Sequence, residues 1–239
     1  MIPKIIHYCW FGKKDKPESV KKCIASWRKY CPDYEIKCWD ESNFDVSQNN
    51  YTQKTFALKK YAYLTDFARL KILYENGGIY FDTDVELIKP IDNIVNKGPF
   101  MALEQKGRIN TGLGVAAEKG NSFIYKNMNY YLKHDFEASG VFQTEICVKI
   151  TTKLLVDEGF NYKKNSLQNV DGMYVYPTDF FSPIKLGTSK LSLTRNTVAI
   201  HHYNASWYVG NKLLRKVNYS LIPLKQFIKF KIMGMKPYE

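Results

Sequence analysis

The sequence predicts an α/β fold, and three observations predict it. A strand, a helix and a second strand follow one another within the first forty residues. A long helix then ends on Gly77-Gly78 and gives way to a short apolar strand, which is followed at once by two acids, Asp82 and Asp84. Strands alternating with helices build βαβ units, and open α/β sheets bind ligands beyond the carboxyl ends of their strands.

Residues 2–11 are β-rich and end at Gly12, as a buried strand opening into a loop would. Asp15 with Glu18 three residues on reads as a capping box, with Pro17 in the first turn. Val20, Cys23, Ile24, Trp27 and Tyr30 then recur at helical spacing until Pro32. Tyr34, Ile36 and Cys38 alternate with Glu35, Lys37 and Trp39 as in a half-buried strand. His7, Tyr8 and Trp10 fall at the edge where a ligand would lie. Tyr8 and Trp10 share a strand face, so they either pack into the core or form a stacking wall for a planar base. No Gly-x-Gly-x-x-Gly follows this strand, so a mononucleotide fits better than a dinucleotide.

The spacing of Ala57, Tyr61, Leu64, Ala68 and Ile72 predicts one helix over residues 55–76, with Gly77 as its left-handed C-cap. Asp66 and Arg69 lie three apart on one face of it, either as a surface ion pair or as part of a site. After the glycine pair, Ile79, Tyr80 and Phe81 read as a buried strand that delivers Asp82 and Asp84 at its end. In extended chain, residues two apart point to the same side roughly 6.5 Å from each other. Two carboxylates held that close repel unless a cation sits between them, and hard oxygen ligands suit Mg²⁺ or Mn²⁺.

Further on, residues 100–103 and 111–117 read as strands, and a helix follows Gly120. Residues 197–200 are a short β-prone run leading into His201 and His202. Adjacent histidines at a strand end either bond to backbone or supply an imidazole to a site; beside the acid pair, His201 is the candidate third metal ligand.

A chain of 239 residues that is 45% hydrophobic can bury one substantial core, so one main domain is expected over residues 1–208. Lys and Arg outnumber Asp and Glu by 35 to 23, which favours an anionic partner. About half of that excess lies in residues 209–239, a basic amphipathic tail in which Leu224, Phe227, Ile228 and Ile232 share a face with Lys225 and Lys229 beside it. Such a stripe suits an anionic membrane surface, or packs against the domain. Five cysteines without a Cys-x-x-Cys pair read as buried free thiols in a reducing compartment. There is no signal-peptide pattern, and no run approaches the ~18 apolar residues of a membrane span. The location expected is cytoplasmic, with the tail as a peripheral contact to the inner face of the plasma membrane.

The string from Thr65 to Pro90, "TDFARLKILYENGGIYFDTDVELIKP", resembles the signature of glycosyltransferase family 32, the Asp-x-Asp sugar transferases of capsular polysaccharide synthesis. "IPKIIHYCWFG" near the start and "AIHHYNASW" near the end are similar to that family too, so the resemblance runs from residue 2 to about residue 207. It implies a GT-A type, Rossmann-like fold with a mixed central sheet. It also implies retaining transfer of a hexose from a nucleotide sugar, usually a UDP-sugar, with Mn²⁺ or Mg²⁺ as cofactor.

Carried over by motif, Trp10, with Tyr8, would meet the uracil, and Asp66 and Arg69 would hold the donor sugar. Asp82 would touch ribose or sugar and help hold the metal with Asp84 and His201. Ser206 and Trp207 would close the site over the diphosphate. Asp66, Arg69 and Asp82 form the expected catalytic group, with no nucleophile nominated and both a covalent adduct and front-face attack left open. Glu104, Asn110 and Gln143 are the candidates to meet an oligosaccharide acceptor, with a lipid-linked one among the options. Two other classes compete. A haloacid-dehalogenase-like phosphatase also uses Asp-x-Asp after an apolar strand, but this chain has Glu86 where that family requires Thr or Val. A non-catalytic polyanion binder is allowed by the charge, yet basic residues are not interleaved with aromatics along one face, so no nucleic-acid partner is expected.

Overall fold

The computed structural model describes residues 1–134, 136, 146–185, 187–188, 190–204 and 220–238. Strand β1 (Ile5–Cys9) pairs in parallel with β2 (Glu35–Trp39), and helix α1 (Glu18–Tyr30) makes the crossover between them, as the βαβ pattern predicted. The capping box does not form. Pro17 itself takes the N-cap position with no side-chain cap, and Glu18 pairs with Lys21 at 2.7 Å instead.

The helix predicted over residues 55–76 is two helices. Helix α2 (Asn50–Ala57) begins at Asn49, whose side chain accepts from the Thr52 N–H. It ends in a left-handed turn with Lys59 at φ 54°, where the Lys60 N–H closes on the Thr55 carbonyl at 2.7 Å and the Lys59 N–H on Phe56 at 2.9 Å. That is a Schellman closure carried by lysine rather than glycine, and it was hidden from a reading of apolar spacing alone. Helix α3 (Tyr61–Asn76) then runs to Gly77, whose φ of 68° turns the chain into β3 (Gly78–Tyr80).

Beyond β3 the chain continues through β4 (Val85–Leu87), the short helix α4 (Asp92–Val95), β5 (Phe100–Gln105), β6 (Arg108–Ile109) and β7 (Val115–Ala117). Helices α5 (Ser122–Lys133) and α6 (Ile146–Asp157), strands β8 (Gln168–Val170) and β9 (Met173–Tyr176), the turn of helix α7 (Thr178–Phe181) and β10 (Ala199–His201) follow. Among the described residues the main sheet has the order β2-β1-β3-β7-β5-β9-β8, with β6 paired to β5. It is mixed: β1 is parallel to both its neighbours, whereas β7 is antiparallel to β3 and to β5.

Helices α2, α3 and α5 take part in one core, around Leu64, Phe67 and Leu73. A second core holds α1 together with β4, around Trp27, Phe81, Val85 and Leu87. In the second core the Trp27 indole is fully buried and its Nε1 donates to the Val85 carbonyl at 2.8 Å, pinning the chain just past the acid pair. Strands β4 and β10 form a separate two-stranded antiparallel sheet.

In the tail, α8 (Ile222–Phe227) runs into a π-helical stretch, Ile228–Ile232. Past it, the Pro237 carbonyl accepts from Arg108 Nη1 at 2.9 Å, and the Tyr238 ring packs edge-on against Tyr162. Among the described residues no helix is long and apolar enough to cross a membrane. All five cysteines are free, three of them buried.

Candidate active site

The acid pair does not lie in extended chain. After Phe81 the backbone leaves the main sheet, turns through residues 82–84 with the Val85 N–H bonded to the Asp82 carbonyl at 3.0 Å, and enters the small sheet at Val85. The turn, rather than a two-residue strand period, brings the carboxylates to one side. Opposite it, the register of β10 on β4 sets His201 across from Val85. His201 Nε2 therefore reaches Asp84 Oδ1 at 3.1 Å, while the N–H groups of His202 and Asn204 donate to the Asp84 carbonyl and to Asp84 Oδ2.

Asp82, Asp84 and His201 each offer a ligand atom within 4.8 Å of the other two. The donor chemistry fits a divalent cation, because two carboxylate oxygens and one imidazole suit Mn²⁺ or Mg²⁺. The buried Nδ1 of His201 has no hydrogen-bond partner among the described residues, as a nitrogen kept for a ligand would not. Burial works against charge on Asp84, yet His201 and the Asn204 N–H outweigh it and hold the carboxyl below the usual carboxylate range. For His201 burial pulls downward, but Asp84 wins and the imidazole sits above its ordinary value. Glu86 is not in this group: its carboxylate takes His202 Nε2 at 2.8 Å.

Behind the acid pair, α3 supplies a buried clamp. Asp66 and Arg69 are not a surface ion pair. Arg69 is almost wholly buried, and its fork serves Asp66 Oδ1 at 3.1 Å, Asp82 Oδ1 at 3.2 Å and Thr111 Oγ1 at 2.9 Å. Tyr80 adds its hydroxyl to the same Asp82 oxygen at 3.1 Å. Asp82 Oδ1 is thus occupied by protein donors, and the Asp82 N–H bonds to the Gly112 carbonyl at 3.0 Å. Burial pushes the Asp66 carboxyl up to about 6, with Arg69 pulling down, Asp82 pushing up and the Cys147 thiol bonded to it. The hydroxyls of Tyr51 and Tyr131, both buried and both within the influence of the Asp66 charge, have no partner among the described residues.

The remaining candidates divide. Tyr8 is buried and packs edge-on against Trp27, so of its two readings it takes the core. Trp10 stays partly exposed beyond the strand end, with Nε1 donating to the Lys14 carbonyl at 2.6 Å. His7, at the same edge, is structural: Trp39 Nε1 donates to its Nδ1 at 3.1 Å, so Nε2 carries the proton that Gly77's carbonyl accepts at 2.9 Å. Glu104 is no surface residue. Its carboxylate takes Arg108 Nε at 3.1 Å and Asn110 Nδ2 at 3.0 Å, and Asn110 Oδ1 in turn accepts from the Gly112 N–H at 2.7 Å. Gln143, Ser206 and Trp207 lie outside the described residues.

Sequence reasoning missed Gly112, Thr111 and Tyr203. A Cβ on Gly112 would sit on the Asp82 carboxylate, and only the small size of the residue signalled this. Tyr203 holds φ at 52° with its ring 4.1 Å from that of His201, and its hydroxyl meets Ser182 at 2.6 Å.

Residues 17–101 match the glycosyltransferase sugar-binding region containing the DXD motif, a span that includes Asp66, Arg69, Asp82 and Asp84. The chain carries that glycosyltransferase sugar-binding region. It is 29% identical over 198 residues to an uncharacterized glycosyltransferase of Acanthamoeba polyphaga mimivirus, covering 76% of each chain. It is 30% identical over 152 residues to inositol phosphoceramide mannosyltransferase 1 of Schizosaccharomyces pombe, covering 56% of this chain and 46% of that one. This chain thus spans about three quarters of the viral relative and less than half of the fungal one. Its fold resembles the solved PaToxG glycosyltransferase, with a TM-score of 0.50 at 22% identity over 66% of this chain and 69% of that one. The mixed sheet is that of a GT-A type fold.

Proposed function

We propose that the protein is a metal-dependent retaining glycosyltransferase that moves a hexose from a nucleotide sugar, a UDP-sugar in the first instance, to a glycan acceptor. One observation carries this: three convergent metal-ligand side chains, Asp82, Asp84 and His201, stand next to a carboxylate pair locked by one buried arginine. The mannosyltransferase relative favours a mannose-type hexose as a donor to test alongside UDP-sugars. The setting in bacterial surface or capsular polysaccharide synthesis rests on the sequence resemblance. Free thiols fit a cytoplasmic location. Neither a phosphatase nor a polyanion-binding role gains support from the site.

In this reading Asp82, Asp84 and His201 hold Mn²⁺ or Mg²⁺. When bound, such an ion neutralises negative charge on a nucleoside diphosphate. In the transfer the sugar–phosphate C–O bond breaks with its electron pair left on the diphosphate. The acceptor hydroxyl oxygen bonds the anomeric carbon, and its proton ends on the released diphosphate. Asp66 and Asp82, fixed by Arg69, are placed to accept hydrogen bonds from donor hydroxyls and to favour positive charge at the ring. With its fork engaged, Arg69 orients these two carboxylates rather than meeting the diphosphate itself. Glu104 and Asn110, hydrogen-bonded to each other and through Asn110 to Gly112, are the candidates to meet the acceptor.

A hydrolysis screen of UDP- and GDP-sugars with Mn²⁺, comparing wild type with Asp84→Ala, tests the reading. Slow hydrolysis of one or two donors, abolished by the substitution, is expected. If no nucleotide sugar is turned over and UDP with Mn²⁺ leaves the melting temperature unmoved, the reading fails.

A further inference from the structure

The C-terminal segment presents an apolar stripe outward instead of burying it. Leu224 is 55% exposed, Phe227 56% and Ile232 68%, with Leu221, Ile228 and Met233 exposed beside them. Other exposed apolar side chains, such as Leu58, Leu132 and Leu167, lie apart along the chain, whereas here six fall within thirteen residues of one short helical segment, and such clustering marks a contact surface. Between Ser220 and Tyr238 there are four lysines, Lys225, Lys229, Lys231 and Lys236, and no acid. An apolar face bordered by cations alone complements a surface that is apolar beneath and anionic on top.

The far end of the segment is seated in the domain. Pro237 is bonded to Arg108, which is almost fully buried, and lies against the Gly107 turn, while Tyr238 packs on Tyr162. Arg108 also holds Glu104, Glu104 holds Asn110, and Asn110 holds Gly112, whose carbonyl takes the Asp82 N–H. The exposed helix is therefore joined through Pro237 to the turn that carries Asp82 by a run of hydrogen bonds.

We infer that residues 220–233 are an interfacial anchor that lays the enzyme on an anionic lipid bilayer, with the Glu104–Asn110 side of the site oriented by the Pro237–Arg108 seat. Binding of this kind needs no sugar and no metal, so its test is separate from that of the transfer reaction. The full chain is co-sedimented with vesicles of phosphatidylcholine alone and of phosphatidylcholine with phosphatidylglycerol, at low and high salt. The wild type is compared with the triple substitution Leu224→Asp, Phe227→Asp and Ile232→Asp. The wild type is expected to partition at least about tenfold better onto the anionic vesicles and to weaken with salt, and the triple variant to lose about tenfold or more. The three positions are exposed, so the melting temperature is expected to stay unchanged, which separates lost anchoring from lost folding. Equal pelleting of the two proteins, or wild type left in the supernatant with both vesicle types, overturns the inference. So does a wild-type dimer in size-exclusion chromatography that the triple variant dissolves, because a second copy would then cover the stripe.

Discussion

His201 Nε2 lies 3.1 Å from Asp84 Oδ1, joining a strand late in the chain to the turn that follows β3. In the ion-free protein this pair raises the imidazole above its ordinary value. A cation needs the neutral ring, so binding must expel that proton. Mn²⁺ affinity is therefore expected to fall as pH drops below the raised value, and calorimetry in buffers of different ionisation enthalpy should read proton release. His201→Gln should abolish the release, and Asp84→Ala should cut donor hydrolysis by ~10²-fold or more. Unchanged turnover in chelator would rule the cation out.

Gly112 touches Asp82 so closely that a single methyl group has no room. Gly112→Ala should displace the carboxylate and lower kcat/KM by about 10²-fold, the cost of a misplacement on the order of 1 Å. Far-ultraviolet circular dichroism should stay as in wild type. A fully active Gly112→Ala enzyme would show that Asp82 is free to work from elsewhere.

Arg69 serves three acceptors with one planar fork, a task that an ammonium group cannot copy. Arg69→Lys should fold but lose most of its turnover. Arg69→Leu, which strands the buried Asp66 carboxylate and the half-buried Asp82 one, should cost about 3 kcal/mol in urea unfolding. Equal activity of Arg69→Lys and wild type would remove the clamp from the mechanism.

Burial lowers the His7 imidazole to about 4, with Gly77 pulling up and Lys37 pushing down. The unfolded chain protonates His7 near 6.5, so between 6.5 and 4 the unfolded state binds more protons and stability falls with falling pH. The loss amounts to about 3 kcal/mol once pH is well below 4. His7→Gln can still accept from Trp39 and donate to Gly77 without titrating. Relative to wild type it should therefore gain stability between pH 7.5 and pH 5, with Asp66 common to both proteins. Parallel unfolding curves at the two pH values would contradict this.

What was legible in the sequence was local. The βαβ unit, α3 and the short strand into Asp82 follow from apolar spacing within twenty residues or so, and the structure keeps them. The capping box failed because Pro17 had already taken the cap, and the long helix split because Lys59 adopts a conformation that side-chain patterning does not encode. For the site, residue types pointed to the acids and His201, but their meeting depends on β10 pairing with β4. Asn204 bonds Asp84 from 120 residues away, a register that no local pattern holds. Nothing in the local sequence marks Tyr51 and Tyr131, because their unpaired hydroxyls become visible only in three dimensions.

The late arrival of β10 has a consequence for biosynthesis. A nascent chain that has left the ribosome only as far as α7 already owns Asp82 and Asp84, yet it lacks the imidazole, the Asn204 N–H and the partner strand that hold them. Strand pairing across so long a loop is slow to form. A fragment that stops before β10 is thus expected to lack the assembled Asp82–Asp84–His201 group.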